Sequence, residues 1–303
     1  MKLTLVVNPM ATAVKAKTRR AVERTLAADH DVTVVETEAR DHATELAREA
    51  AAGGADVVVV LGGDGTHSEA ANGLVGTSTA LAPLPGGSTN VFARTVGLPN
   101  DVVAATSQLL AAMAAGSRRR IGLGTADGRH FLFHAGLGFD AAVVQQVENR
   151  SAWKRRVGQT VFVYATFATW FRHFDRSAPP FAMRFGDDDA VDGYFAICLK
   201  TNPYTYLGKR PFNVAPGADF DRGLAVVTFR DLRFSTVGSA ALAALGSGER
   251  LPAKPELDHR SEVASVRVVG HRPFPYQLDG DYLGDVETLE LGHRPSCLDV
   301  ICP

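Results

Sequence analysis

The chain has 303 residues, of which 46% are hydrophobic and 21% charged, with a formal net charge of −1 at pH 7. That length exceeds one ordinary core and points to two domains, while the near-neutral balance excludes a large sequence-independent attraction to nucleic acid. The start, MKLTLVVNP, is too short an apolar run for a signal peptide, no segment approaches the roughly 20 apolar residues of a spanning helix, and Cys198, Cys297 and Cys302 match no zinc or redox spacing, which fits a reduced cytoplasmic setting.

Leu3 to Val7 reads as a first strand ending at Asn8-Pro9, and Ala11 to Ala28 carries helix formers with Lys15, Lys17, Arg19, Arg20 and Arg24 toward solvent. Val32 to Glu36 gives a second strand, and Asp41 to Ala52 a helix capped by Asp41 and stopped by Gly53-Gly54. Val57 to Leu61 is a third strand whose unbroken apolar run suits the middle of a parallel sheet. A helix from about His67, a strand over Ala80 to Leu84 and a helix over Asp101 to Ala115 continue the β–α alternation. From about Ile121 the texture changes to short β-like runs separated by turn residues: Phe131 to Ala135, Tyr194 to Leu199, Leu224 to Phe229, Val263 to Val269, Thr288 to Leu291 and Cys297 to Ile301. An aromatic stretch, Val157 to Phe174, reads as a helix among them. The expectation is an α/β domain with a parallel sheet, over 1–122, followed by an all-β domain, an antiparallel sandwich or barrel, from 123 onward.

Two glycine loops carry the chemistry. The third strand stops at Gly62-Gly63-Asp64-Gly65-Thr66, and the fourth runs into Pro85-Gly86-Gly87-Ser88-Thr89-Asn90. Glycines let the backbone turn tightly and leave its N–H groups bare, and a helix that follows points the positive end of its dipole into the turn, where a phosphate can sit. Ligands gather at the carboxyl ends of strands in an open parallel sheet, so Asn8, Thr37 and both loops border one crevice, the candidate nucleotide site. Asp64 is out of place there unless a cation lies between it and the phosphate, or unless it accepts a proton from an attacking hydroxyl.

Taken together, VVNPMA at 6 to 11, GGDGTHSEAANGL at 62 to 74, PGGSTNVFART at 85 to 95, HAGLGFDAAV at 134 to 143 and LDGD at 278 to 281 resemble the diacylglycerol kinase catalytic family, specifically the soluble bacterial lipid kinases related to sphingosine kinases. The resemblance implies a nucleotide-binding α/β domain, a β-sandwich lipid-substrate domain over 123–292, and a last strand over 293–303 that returns to the first domain. It implies ATP and Mg2+ as cofactors. Asn8, Pro9, Thr12, Thr37, Gly62, Gly63, Asp64, Gly65, Thr66, Ser68, Gly87, Ser88, Thr89 and Asn90 would bind ATP. Asp64 would be the central carboxylate, and Asp279 or Asp281, at the family's late DGE motif, the group that orients or accepts the hydroxyl proton.

Two departures stand out. The family's NDFAR becomes Asn90-Val91-Phe92-Ala93-Arg94, which removes a carboxylate. Where relatives hold a structural magnesium with an acidic residue before Gly-Leu and flanking carbonyls, DFDRGL has Arg222, leaving Asp219, Asp221 and Leu224 as the candidate ligands.

The implied activity is ATP-dependent phosphorylation of diacylglycerol to phosphatidic acid, with a sphingoid base or another glycerolipid as the alternative acceptor. An NAD-kinase-like enzyme shares the GGDG turn but leaves PGGSTNVFAR and LDGD unexplained, and a nucleotide-binding regulator without turnover would account for Val91 and Arg222. Expected partners are the lipid substrate, the membrane surface in peripheral contact, and a second copy of the chain in a homodimer. Trp153-Lys154-Arg155-Arg156, before the aromatic stretch, is the candidate membrane patch.

Overall fold

A computed structural model of the chain describes residues 1–139, 141–142 and 177–303. The helix expected over Val157 to Phe174 and the basic patch before it lie outside the described residues. The chain divides into two compact units, Met1–Leu123 with Arg294–Pro303, and Gly124–His293.

In the first unit β1 (Lys2–Val7), β2 (Asp31–Glu36), β3 (Val57–Gly62) and β4 (Ala80–Pro85) are parallel, with β1 between β2 and β3 and β4 beyond β3. Helices α1 (Ala16–Leu26), α2 (His42–Ala52), α3 (Asp64–Leu74), α4 (Val91–Thr95) and α5 (Val102–Ala114) connect and cover them. Val57, Val59 and Leu61 join Leu3, Leu5, Ala82 and Leu84 in one core with Val22 and Leu26 of α1 and Leu109 and Met113 of α5. Residues of the other parity, Val58 and Val60, are equally buried, which is why β3 shows no polar alternation. Gly73 of α3 lies so close to α2 that a Cβ would meet the Thr44 carbonyl oxygen at 2.3 Å.

Three boundaries differ from expectation. Helix α1 begins at Ala16 rather than Ala11, because the Ala13 N–H is drawn to the Gly86 carbonyl at 2.9 Å, holding the Asn8–Lys15 stretch against the second glycine loop. Asp41 does not cap α2: it is left-handed at φ 63, and the buried Glu69 of α3 accepts instead from Ala43 N at 3.2 Å. Helix α3 starts at Asp64, with Gly63 at its cap position, so the glycine-rich turn is itself its first turn.

The second unit is antiparallel. It holds the end of β5 (Arg118–Ala126), β6 (Arg129–Phe131), β7 (His134–Gly138), β8 (Phe181–Arg184), β9 (Val191–Gly193), β10 (Phe195–Leu199), β11 (Thr205–Leu207), β12 (Arg210–Phe212), β13 (Leu224–Phe229), β14 (Leu257–Val263), β15 (Ser265–Leu278) and most of β16 (Asp281–Ile301). Strand β10 lies between β7 and β13, and β15 pairs with β8 along Arg267–Gly270 and with β7 along Tyr276–Leu278. Alternate residues of β10 serve two cores: Ala196 and Cys198 face Phe181, Met183 and Phe274, while Phe195, Ile197 and Leu199 join Val237 and Ala240 of a helix, α6 (Phe234–Leu245). This is the layering of a β-sandwich. Sequence reading passed over α6: Ala240–Leu245 is a run of strong helix formers, while Ser235, Thr236, Val237 and Gly238 before it are weak ones that burial against β10 carries into the helix.

The expected Phe131–Ala135 strand is broken in two, for a reason that belongs to the site. Strand β16 is continuous where Thr288–Leu291 and Cys297–Ile301 read as separate runs. Its end lies in the first unit, where Val300 pairs in parallel with Leu81 and Asp299 accepts from Arg118 and Arg120, both at 3.0 Å.

Candidate active site

In the first unit the two glycine loops are pressed backbone to backbone. Gly86 N donates to the Gly62 carbonyl at 2.7 Å, a Cβ on Gly86 would come within 2.9 Å of Gly62 backbone atoms, and one on Gly87 within 2.9 Å of the Gly63 Cα. Gly62 is closed on its other side by Thr66, whose side chain would meet a Cβ at 2.7 Å. Gly63 is different, because a Cβ there would make only an ordinary contact, 3.5 Å from the Gly87 Cα. Among the described residues no side chain caps the N-terminus of α3. Its first N–H groups therefore have no intrahelical acceptor and stand at the positive end of the helix, an arrangement that suits a phosphate.

The expected nucleotide residues lie on these two loops, in α3 and in the segments that follow β1 and β2. Asn8 N donates to Leu61 O at 3.0 Å and Thr37 N to Val7 O at 2.9 Å, so both sit at strand ends. Asn8 Nδ2 donates to Thr66 Oγ1 at 2.9 Å, while Asn8 Oδ1 accepts from Met10 N at 2.9 Å. Pro9, Thr12 and Ser88 are exposed, Gly65 and Thr89 are half-buried, and Ser68 is buried. Asn90, left-handed at φ 51, braces the second loop: its Oδ1 accepts from Gly87 N at 2.8 Å and its Nδ2 donates to Gly87 O at 3.0 Å. Asp64 is half-buried, and its Oδ1 accepts from Phe92 N at 3.0 Å, capping α4. Val91, at the position where the family motif carries an acid, is buried.

Two buried side chains matter here that sequence reasoning had passed over or left bland. His67 sends Nε2 between the carbonyls of Val60 and Leu84, 3.2 Å from each, tying β3 to β4. Burial pushes its pKa down against the pull of Asp64, so the ring is a neutral strut. Glu69, absent from the expected set, serves α2 as described above, and its spacing from the glycine turn on one helix is the only hint that the sequence offers.

In the second unit, Asp279 and Gly280 form the two-residue turn between β15 and β16, with φ of 51 and 89, and Leu278 pairs with Asp281 at its mouth. Both positive angles mark a type I′ hairpin, for which Asp-Gly is the favoured pair. The Asp279 carboxylate is buried and accepts from three successive backbone N–H groups: Leu132 at 2.7 Å, Phe133 at 2.9 Å and His134 at 3.1 Å. Those amides are consequently lost to strand pairing, which is why β6 and β7 are separate. Gly280 N donates to Gln277 Oε1 at 2.7 Å. Asp281 is half-buried.

The 219–224 loop does not fit a divalent cation. The carbonyls of Asp219 and Arg222 accept from Lys200 Nζ, Asp219 Oδ1 accepts from Asp221 N at 3.0 Å, and the Arg222 side chain is a cation in its own right. Among the described residues no group of three or more His, Cys, Asp or Glu is placed to hold a metal ion.

Comparison with known proteins agrees with the motifs. The model of the diacylglycerol kinase catalytic domain matches residues 2–126. A diacylglycerol kinase of Bacillus subtilis is 37% identical over 99 residues, a match that spans 32% of this chain and only 31% of that protein. A protein of Chromohalobacter salexigens named "Probable lipid kinase YegS-like" is 28% identical over 270 residues, 87% of this chain and 81% of its own. A crystal structure of a diacylglycerol kinase from Bacillus anthracis covers 100% of this chain and 97% of its own with a TM-score of 0.71 at 19% identity, a likeness of fold. Residues 2–126 thus match the diacylglycerol kinase catalytic domain, and a likeness to proteins named as lipid kinases runs on through the rest of the chain.

Proposed function

We propose that this chain is an ATP-dependent lipid kinase that phosphorylates the hydroxyl of diacylglycerol to give phosphatidic acid. The observation that carries the nucleotide half is the uncapped start of α3, held open by two glycine loops packed backbone to backbone. Its N–H groups bind the phosphates, and the clearance at Gly63 is the cradle that a side chain would fill. Magnesium, bound with the nucleotide, would neutralise charge on the β- and γ-phosphates. Asp64 holds its place through Phe92 N with one carboxylate oxygen, which leaves the other to act on the nucleotide. Of the two late carboxylates, Asp281 orients or accepts the hydroxyl proton, because Asp279 is committed to three backbone donors and shapes the turn instead.

The choice of acceptor rests on relatives named diacylglycerol kinase. A relative named only as a lipid kinase favours a second reading, in which another glycerolipid or a sphingoid base is the acceptor. Radiolabelled ATP offered against diacylglycerol, monoacylglycerol, a sphingoid base, NAD and no acceptor, with products separated by chromatography, tests both. Label in phosphatidic acid supports the first reading, label in another lipid the second, and ATP binding without lipid-dependent transfer overturns both. A substrate that lives in a bilayer also calls for a peripheral, cytoplasmic docking surface. Trp153-Lys154-Arg155-Arg156 is proposed for it, and co-sedimentation with anionic vesicles across salt, for wild type and a Lys154→Gln/Arg155→Gln/Arg156→Gln variant, is its test.

A further inference from the structure

Lys200 follows the last residue of β10 and is fully buried, at 0% exposure. Its Nζ donates to the carbonyl oxygens of Asp219, at 2.8 Å, and Arg222, so both accept from one nitrogen. They belong to a single tight loop leading into β13. Within it Arg222 N donates to Asp219 O at 3.2 Å and Asp219 Oδ1 accepts from Asp221 N at 3.0 Å. The Arg222 guanidinium turns outward to Glu262 Oε1 at 2.7 Å, while Glu262 Oε2 accepts from Gly223 N at 3.0 Å. The loop is also clamped sterically: a Cβ on Gly223 would come within 2.6 Å of the Glu262 carbonyl carbon.

Converging carbonyl oxygens inside a fold need a positive centre or N–H donors, since leaving them unmet costs about as much as losing the hydrogen bonds outright. A divalent ion meets that need when carboxylates join the carbonyls, with oxygens at about 2.0–2.6 Å depending on the ion. Here the position before Gly223 is Arg222, and the carbonyls are engaged by an amine from the neighbouring strand. A second cation between Lys200 and Arg222 would face like charge on two sides. We infer that the Lys200 ammonium is a built-in cation that takes the place of a structural divalent ion in the 219–224 loop, so the Gly124–His293 unit folds without metal. The inference is independent of the kinase reading, because it concerns the fold of this unit and not turnover.

Thermal melting of the full chain without nucleotide, in EDTA and in millimolar MgCl2, tests it. Wild type is expected to melt at the same temperature in both. Lys200→Met keeps the length of the stem but removes the donor, and it should lower the melting temperature in EDTA by about 3–8 °C, since the part-buried Arg222 carbonyl loses its donor and Asp219 O keeps only Arg222 N. A Lys200→Met/Arg222→Asp double variant offers carbonyls plus a carboxylate and should recover part of that loss in MgCl2 but not in EDTA. A wild type destabilised by EDTA overturns the inference and needs no variant to read. Lys200→Met melting like wild type in EDTA, or a double variant indifferent to MgCl2, overturns it as well.

Discussion

The Oδ1 atom of Asp64 accepts the backbone N–H of Phe92 at 3.0 Å, so the residue that opens α3 also caps α4. The same carboxylate lies near enough to His67 to pull on its protonation. A turn cap and a phosphate-handling carboxylate can therefore be the same group, and substitutions at Asp64 separate the two roles.

Asp64→Asn keeps an oxygen for Phe92 N and should fold with a melting temperature close to wild type, while phosphoryl transfer falls by about 10²-fold or more. Asp64→Ala should lose both, with about 1 kcal/mol of cap stability gone as well. Melting curves beside initial rates check this. An Asp64→Asn enzyme with more than about a tenth of wild-type turnover would end the catalytic assignment.

The glycines of the two loops should separate in the same way. Gly86→Ala and Gly87→Ala drive a Cβ to 2.9 Å from the facing backbone, which forces the loops apart and should lower stability. Gly63→Ala meets only an ordinary 3.5 Å contact and should fold normally, yet Gly63→Val should block ATP by filling the cradle. Calorimetric ATP titration alongside melting is the measurement, and unchanged ATP affinity in Gly63→Val would place the phosphates elsewhere.

For the late carboxylates, Asp279→Asn replaces one of two acceptor oxygens by a donor, facing at least one of the Leu132, Phe133 and His134 amides. A drop of about 1–3 kcal/mol in stability, with activity falling in parallel, is expected. Asp281→Asn should leave melting unchanged, keep ATP affinity and lose turnover. The reverse pattern, a stable but inactive Asp279→Asn, would make Asp279 the proton acceptor.

How much of this was legible beforehand depends on whether the decisive neighbour is near in sequence. The parallel strands and the Gly62 and Gly86 turns follow from local composition, because a run such as Val57–Leu61 can only be buried and consecutive glycines can only turn. The double role of Asp279 was half visible: Asp-Gly predicts the hairpin, but the three amides its carboxylate collects lie some 145 residues away. Lys200 was invisible for the same reason, since an isolated lysine after FAICL gives no sign that it will be buried against carbonyls about twenty residues on. Glu69 replacing Asp41 as the acceptor at the start of α2 is a third case, where a sound local signal lost to a tertiary partner.

The last prediction concerns pH. His134 is buried in the second unit with its ring 4.3 Å from that of Tyr204 and 4.9 Å from that of Phe133, and burial pushes its pKa down to about 3 from the ordinary 6.5. Above pH 6.5 the ring is neutral whether the chain is folded or not, so it adds no pH dependence there. Below 6.5 the unfolded chain takes up a proton that the folded one refuses, and stability declines as pH falls toward 3, by up to about 1.4 kcal/mol per pH unit. His67, also pushed down by burial, acts in the same direction. Carboxylates in general add acid sensitivity lower down, so the clean window is pH 5 to 6.5. There the wild-type melting temperature should fall with acid by about 3–5 °C per unit from His134 alone, and His134→Phe, which preserves the ring packing without titrating, should remove that share of the slope. Equal slopes in wild type and His134→Phe between pH 5 and 6.5 would show that the ring is reached by a proton without unfolding.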